Sequence, residues 1–404
     1  MNSGNKRIHR TGIDKYTYVR NDLEKEIFFL LCPQSWFKLT NQSAPYTLWF
    51  VIHGPICFKH MFLTHKPYFI KHRYNVPLNR AWLGKLSSQK AHPVRHFKIS
   101  PVLNTFTKNS FMSLRTKLQG TGVAIVTPFK PSMEVDYDAL GKLIDFIIGN
   151  GIEYIVSLGT TGETPTLDTE EKFDIIHYTF ERVNNRVPVV VGVGGNNTRE
   201  VMENLQSYPL EKAIAVLSAS PYYNKPSQEG IFQHYKNLAD ASPRPVILYN
   251  VPGRTGSNIS AETTLRLAKE VPNIAGIKEA SGNMVQCMHI LRDRPKDFLV
   301  VSGDDHITLP LIACGMDGVI SVAANCFPRD FSDMVRYCLG GDFASARPLH
   351  NKCLEGNDLL FAENNPAGAK AFLSEMGIIK NVLRLPLVPL SSSIHQKVKN
   401  YLGK

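Results

Sequence analysis

Eight short apolar runs recur between residues 123 and 322, and this repetition constrains the fold more than any other feature. They occupy residues 123–126, 154–158, 187–193, 213–217, 245–249, 274–278, 298–301 and 318–322. Each is too short for a typical helix and lacks polar alternation, as expected of parallel strands covered on both faces. Amphipathic segments separate them. Residues 137–148 set Leu140, Leu143, Ile144 and Ile147 at helical spacing. A helix is predicted to begin after Asp168, with Phe173, Ile176 and Phe180 on one face, and Ser260 and Glu262 open another carrying Leu265 and Leu267. Eight strand–helix alternations predict an α/β fold, a (β/α)8 TIM barrel. The alternative is an open doubly wound sheet, but no GxGxxG turn follows the first run, against its dinucleotide-binding version. From about Asp342 the strand signal stops, and residues 342–404 read as a small C-terminal helical domain with Pro386 and Pro389 interrupting its tail.

Charge divides the chain. The net charge is +11, yet residues 1–111 carry 17 of the 46 Lys and Arg and only 4 of the 35 Asp and Glu. The remainder is close to neutral, so the basic balance says little about the partner of the patterned region, residues 112–341. The first 111 residues hold all three tryptophans and show no sustained period. Their longest apolar stretch, residues 46–52, is too short to span a bilayer, and no secretory leader pattern is present. They are expected to be an irregular basic extension, disordered or outside the native protein, with Met112 as a candidate start; a transit segment or a nucleic-acid-binding arm are the alternatives. The seven cysteines form no CxxC pair, which argues against zinc or a disulfide framework and for reduced thiols in a cytoplasmic protein.

The chemistry-bearing residues cluster where runs end and loops begin, the functional end of a barrel. Lys278 closes the apolar run 274–278. Burial disfavours an ammonium, and a neutral amine attacks a ketone to form a Schiff base; the alternative is a lysine snorkelling into solvent. After the second run, Gly159-Thr160-Thr161-Gly162 leaves backbone N–H groups free to face a carboxylate, or is an ordinary polar loop. After the fourth, Tyr222 and Tyr223 are packing aromatics or proton-relay phenols. The fifth ends at Tyr249, followed by Arg254 between Gly253 and Gly256, where a guanidinium can grip a carboxylate through two hydrogen bonds or simply occupy a surface turn. Asp304 and Asp305 after the seventh run are expected to cap a helix carrying Leu309 and Leu311 rather than to bind a metal.

Six motifs stand in one order: GTTGET (159–164), PYYNKPSQEG (221–230), LYNVPGRTG (248–256), GIKEASG (276–282), SGDD (302–305) and GVISVAAN (318–325). In these the chain resembles the dihydrodipicolinate synthase/N-acetylneuraminate lyase family of class I aldolases, over roughly residues 115–403. Arg254 resembles the synthase branch, because the sialic-acid lyase branch lacks that arginine. The resemblance implies condensation of pyruvate with L-aspartate 4-semialdehyde to 4-hydroxy-tetrahydrodipicolinate, in the diaminopimelate route to lysine. It implies an imine on Lys278 with no metal and no organic cofactor. Tyr249 would be the acid/base, linked through Thr160 to Tyr223 of the partner subunit. Thr160 and Thr161 would hold the pyruvate carboxylate, Arg254 the aldehyde's carboxylate, and the Gly303 and Ile320 backbones would line the pocket. A homotetramer built from tight dimers is implied, with no membrane or nucleic-acid partner. Thr164, Pro165, Thr169, Lys172, Asn196, Glu200 and Tyr222 match a lysine-binding allosteric site. Thr169 and Lys172, however, replace the histidines of lysine-sensitive relatives. Another pyruvate lyase, acting on a sugar-derived aldehyde, and a non-catalytic pyruvate sensor are the competing functions.

Overall fold

A computed structural model of the chain describes residues 36–40, 47–52, 58–64 and 113–404. The first three segments are strands β1 (Trp36–Thr40), β2 (Thr47–Ile52) and β3 (Phe58–Thr64), paired antiparallel in that order with a register shift between Val51 and Ile52. They interrupt the stretch expected to be irregular. The expectations of disorder and of a start at Met112 otherwise fall outside the described residues.

Residues 113–404 form one compact unit. It opens with the short helix α1 (Leu114–Lys117) and then alternates. The order is β4 (Gly120–Ala124), α2 (Tyr137–Gly149), β5 (Tyr154–Ser157), α3 (Thr169–Val183), β6 (Val189–Gly192), α4 (Thr198–Ser207), β7 (Ala215–Ala219), α5 (Gln228–Ala241) and β8 (Val246–Asn250). It continues with α6 (Pro252–Thr255), α7 (Ala261–Glu270), β9 (Ile274–Glu279), α8 (Met284–Asp293), β10 (Leu299–Ser302), α9 (Thr308–Ala313), β11 (Gly318–Ser321) and α10 (Pro328–Leu339). Strands β4 to β11 are all parallel and close on themselves, with β11 pairing β4 and β9 pairing β10. Three helices complete the chain: α11 (Phe343–Phe361), α12 (Ala367–Glu375) and α13 (Ser392–Tyr401). Helices begin where the sequence supplies caps. Asp168 and Glu171 form a reciprocal capping box at α3, and the Ser260 hydroxyl accepts the Thr263 N–H at α7.

Successive side chains along a strand point to opposite faces, so the barrel has two cores. Ala124, Tyr154, Val156, Val190, Ala215, Leu217, Ile247, Tyr249, Leu299, Val301 and Ile320 fill the interior, while the outward set packs beneath the helices. The interior is crowded. A Cβ on Gly122 would lie 2.2 Å from the Tyr154 ring, so glycine in β4 is what admits that phenol. The N-terminal ends of the strands are tied by charge. Buried Asp317 accepts from Arg115 at 2.8 Å, from Arg294 at 2.5 Å and from the Val300 N–H at 2.9 Å. Beside it, Glu153 accepts from the Thr121 N–H and from Arg336. None of the helices among the described residues is long and apolar enough to cross a membrane.

Candidate active site

The opposite ends of the same strands carry the candidate catalytic residues. Lys278 is the penultimate residue of β9 and Tyr249 the penultimate residue of β8, and they are direct partners in register, with Val301 of β10 flanking Lys278 on its other side. This parity turns both side chains inward. Lys278 is buried, and its Nζ stands 4.3 Å from the centroid of the Tyr249 ring. A cation over an aromatic face gains about 0.5–2 kcal/mol, so the amine is held beside the phenol rather than released to solvent. Snorkelling is therefore not the conformation observed.

Gly303, one residue beyond β10, makes room for that amine. A Cβ there would fall 2.8 Å from Lys278 Cε and 2.7 Å from the Ala280 methyl. The Gly303 N–H donates to the Glu279 carbonyl at 2.8 Å, continuing the ladder past the strand end. Ile320 of β11 is buried in the interior core with Tyr249. Residues of opposite parity brace the site from outside. Both carboxylate oxygens of buried Glu279 accept from the Asn250 side-chain amide, at 3.1 and 3.0 Å, and one also accepts from Gln286 of α8. The Asn250 side-chain Oδ1 accepts the Ile259 N–H. This outward clamp fixes the residues immediately following Tyr249 and Lys278.

A cavity of about 570 Å³ opens at this end of the barrel. Thr160, Tyr249 and Arg254 line it, as do Asn196, Glu200, Tyr222 and Pro165. Thr160, Tyr249 and Arg254 thus share one cavity with the expected allosteric set, while Lys278, Thr161, Gly303 and Ile320 are not among the residues lining it. Thr160 is half-buried, while Thr161 is buried with its hydroxyl accepting from the Asn365 amide at 3.0 Å. Arg254 sits exposed on α6 with one N–H on Asn364 at 3.1 Å, which leaves most of its five donors free for an anion. The Tyr222 N–H donates to Asn196 at 2.7 Å. Tyr223 departs from the group. Its backbone is left-handed at φ 57°, and its side chain is 90% exposed and does not line the cavity.

Asp304 and Asp305 do not cap a helix as expected. Helix α9 starts only at Thr308, with Ile307 at its cap position. Buried Asp305 instead reaches across to accept the Val322 and Ala323 N–H groups, each at 2.9 Å, which fixes the chain after Ile320. Burial raises its carboxyl above the usual range, opposed by those hydrogen bonds and by the charge of Lys278. Two acidic residues before an apolar helical run read as caps, and only the fold supplies the partner loop. Glu163, Lys370 and Asn365 were also missed. Nothing in their local sequence marks them, since the contacts that define them span 204 and more positions.

A sequence profile of the Dihydrodipicolinate synthetase family matches residues 117–404. The chain is 55% identical over 285 residues to a 4-hydroxy-tetrahydrodipicolinate synthase of Parabacteroides distasonis, covering 70% of this chain and 96% of that one. It is 54% identical over 291 residues to the synthase of Phocaeicola vulgatus, covering 72% and 98%. The crystal structure of dihydrodipicolinate synthase from Aquifex aeolicus superposes with a TM-score of 0.69 at 41% identity, over 70% of this chain and 97% of that one. The chain belongs to the dihydrodipicolinate synthetase family.

Proposed function

We propose that this chain is a Schiff-base lyase that condenses pyruvate with L-aspartate 4-semialdehyde to give 4-hydroxy-tetrahydrodipicolinate. The observation that carries the reading is the buried Lys278 amine, 4.3 Å from the Tyr249 ring beside the space left by Gly303. The amine attacks the pyruvate ketone and water leaves, forming an imine. The imine draws electrons from the methyl carbon, which loses a proton and becomes an enamine. Tyr249, whose ring lies beside the amine, is the proposed carrier of these protons, a role worth about 10²–10⁴-fold in rate. The enamine carbon attacks the aldehyde. The semialdehyde's own amine then adds to the imine carbon, closes the ring and expels Lys278. The imine is the electron sink, so this sequence asks for neither a metal nor an organic cofactor.

Thr160 and Thr161 receive the pyruvate carboxylate and Arg254 the carboxylate of the second substrate, with Gly303 and Ile320 at the pyruvate pocket. The exposed, left-handed Tyr223 supports completion of the relay through Thr160 by Tyr223 of the partner subunit. That relay requires a homo-oligomer, proposed as a tetramer of tight dimers. Asn196, Glu200, Tyr222 and Pro165 offer hydrogen bonds and one carboxylate to an amino acid, so lysine is proposed as the effector of that part of the cavity. Free thiols at Cys287, Cys326, Cys338 and Cys353, all buried, support a reducing, cytoplasmic location.

Borohydride reduction in the presence of pyruvate tests the reading. The expected result is one reduced adduct, located by peptide mass at Lys278. Parallel incubations with aspartate semialdehyde and N-acetylmannosamine should show turnover with the first alone. A label elsewhere, or no label, would overturn the mechanism, and turnover of the second would assign the sugar-derived aldehyde instead.

A further inference from the structure

The loop proposed to hold pyruvate is gripped from behind by a charged pair that no substrate could reach. Two tight turns, Thr160–Gly162 and Thr164–Thr166, meet at Glu163. Its backbone is left-handed at φ 53° and ψ 32°, a region costly for a residue with a side chain. The Glu163 N–H donates to the Thr160 carbonyl at 3.1 Å, and the Glu163 carbonyl accepts the Thr166 N–H at 2.9 Å. The conformation of Glu163 therefore sets the orientation of the Thr160 peptide.

The Glu163 side chain points into protein. Its Oε1 lies 2.5 Å from Nζ of Lys370, and both side chains have no exposed surface. The alignment is that of an ion contact, with no well-directed hydrogen bond at Oε1. Oε2 accepts the Arg384 N–H at 3.1 Å. Lys370 itself donates to the Val382 carbonyl at 2.8 Å and stands 4.1 Å from the centre of the Phe129 ring. Five residues before Lys370, Asn365 donates to the Thr161 hydroxyl. The segment 365–370 thus holds the loop on both sides of Gly162. A buried ion pair is seldom a net source of stability over apolar residues of the same volume, so its presence at this loop calls for a different use.

We infer that Glu163 and Lys370 are positioning residues that lock the Thr160-Thr161 peptides in the orientation that binds the carboxylate of the first substrate. This rests on the proposed function and extends it to residues outside the cavity. The pair touches no substrate. Its main effect is on the affinity for pyruvate, and the site for the second carboxylate at Arg254 is left as it is.

The test is the double variant Glu163→Gln with Lys370→Met, which removes both charges at nearly constant volume. Pyruvate-dependent borohydride trapping gives a half-saturating concentration and a maximal rate, and steady-state assays give KM for aspartate semialdehyde. The expected outcome is a rise of about 10-fold or more in half-saturating pyruvate, the weight of one charge-assisted hydrogen bond. The semialdehyde KM should be unchanged, and any fall in the maximal trapping rate per folded molecule should be smaller than the rise in half-saturating pyruvate. A purely structural pair would instead lower the melting temperature and the active fraction, with half-saturation as in the wild type, and that result overturns the inference. If the double variant does not fold, Glu163→Gln alone is read by the same criteria. Absence of any adduct in the wild type would sink the proposed function and this inference with it, whereas wild-type trapping with unaltered half-saturation in the variant removes the inference alone.

Discussion

Replacing Gly303 with alanine should slow imine formation far more than it destabilises the fold. The added methyl carbon would sit 2.8 Å from Lys278 Cε, 3.2 Å from Lys278 Cγ and 2.7 Å from the Ala280 methyl. Non-bonded carbons rest about 3.5–4.0 Å apart, so these atoms must separate by roughly 1 Å. Gly303 is not among the residues of positive φ, so its backbone accepts alanine and the conflict is one of space. Overpacking of this kind costs about 1–3 kcal/mol. The inner wall is closed by Val301 and the Tyr249 ring, which leaves the flexible lysine stem as the part that yields. Misplacing a reacting group by about 1 Å costs about 10²-fold in rate. The assay is the rate of borohydride trapping with saturating pyruvate, alongside a thermal melt. The melt should fall by only a few degrees while trapping falls about 100-fold. Adding Ala280→Gly relieves one contact but not the two with Lys278, and should leave trapping slow. A folded Gly303→Ala protein that traps pyruvate at the wild-type rate would refute the idea that this glycine makes room for the amine.

Three other outcomes follow from the same structure. Tyr249→Phe keeps the ring beside Lys278 but removes the phenol, so exchange of the pyruvate methyl protons, followed by NMR in heavy water, should slow by about 10²–10⁴-fold. His234 is buried with Nδ1 2.8 Å from the Thr198 hydroxyl, and burial pushes it down to about 4. Between the unfolded value near 6.5 and that folded value the unfolded chain binds a proton that the folded one refuses, so stability falls as pH drops through this window. Urea melts at pH 7 and pH 5 should show a loss that His234→Gln reduces. Gly122→Ala forces a methyl against the Tyr154 ring and should cost about 1–3 kcal/mol in the same melts, with little change in half-saturating pyruvate for the folded fraction.

Most of the barrel was legible because its strands are buried on both faces and so appear as apolar runs. The first strand is the instructive exception. The run at 123–126 suggested a later start than the observed Gly120–Ala124, because Gly120, Thr121 and Gly122 carry no apolar signal. The Tyr154 ring imposes Gly122, and a φ of 111° with Glu153 alongside imposes Gly120, constraints that the local sequence does not display. Lys278, Tyr249 and Arg254 were legible as residues at strand ends. The charged residues around them were not. Glu163 lies in a polar motif and reads as a loop residue, Asp305 reads as a cap, and Lys370 follows small residues in a helix. Each becomes meaningful only when the fold delivers a partner from a distant segment. Tyr223 shows the converse, for its motif is clear and yet the single chain sends it outward.

The Asp317 cluster with Arg115 and Arg294 lies at the end of the strands away from Lys278 and Tyr249. Each strand spans four to six residues, at about 3.3 Å per residue. Robustness and reactivity therefore occupy opposite rims of one closed ladder. A lineage under thermal selection can redraw the arginine-bearing rim without retuning the amine, and a lineage changing its aldehyde can rewrite loops at the other rim without loosening the barrel. Libraries that randomise residues around Asp317 should accordingly yield variants that differ in melting temperature and share one turnover rate.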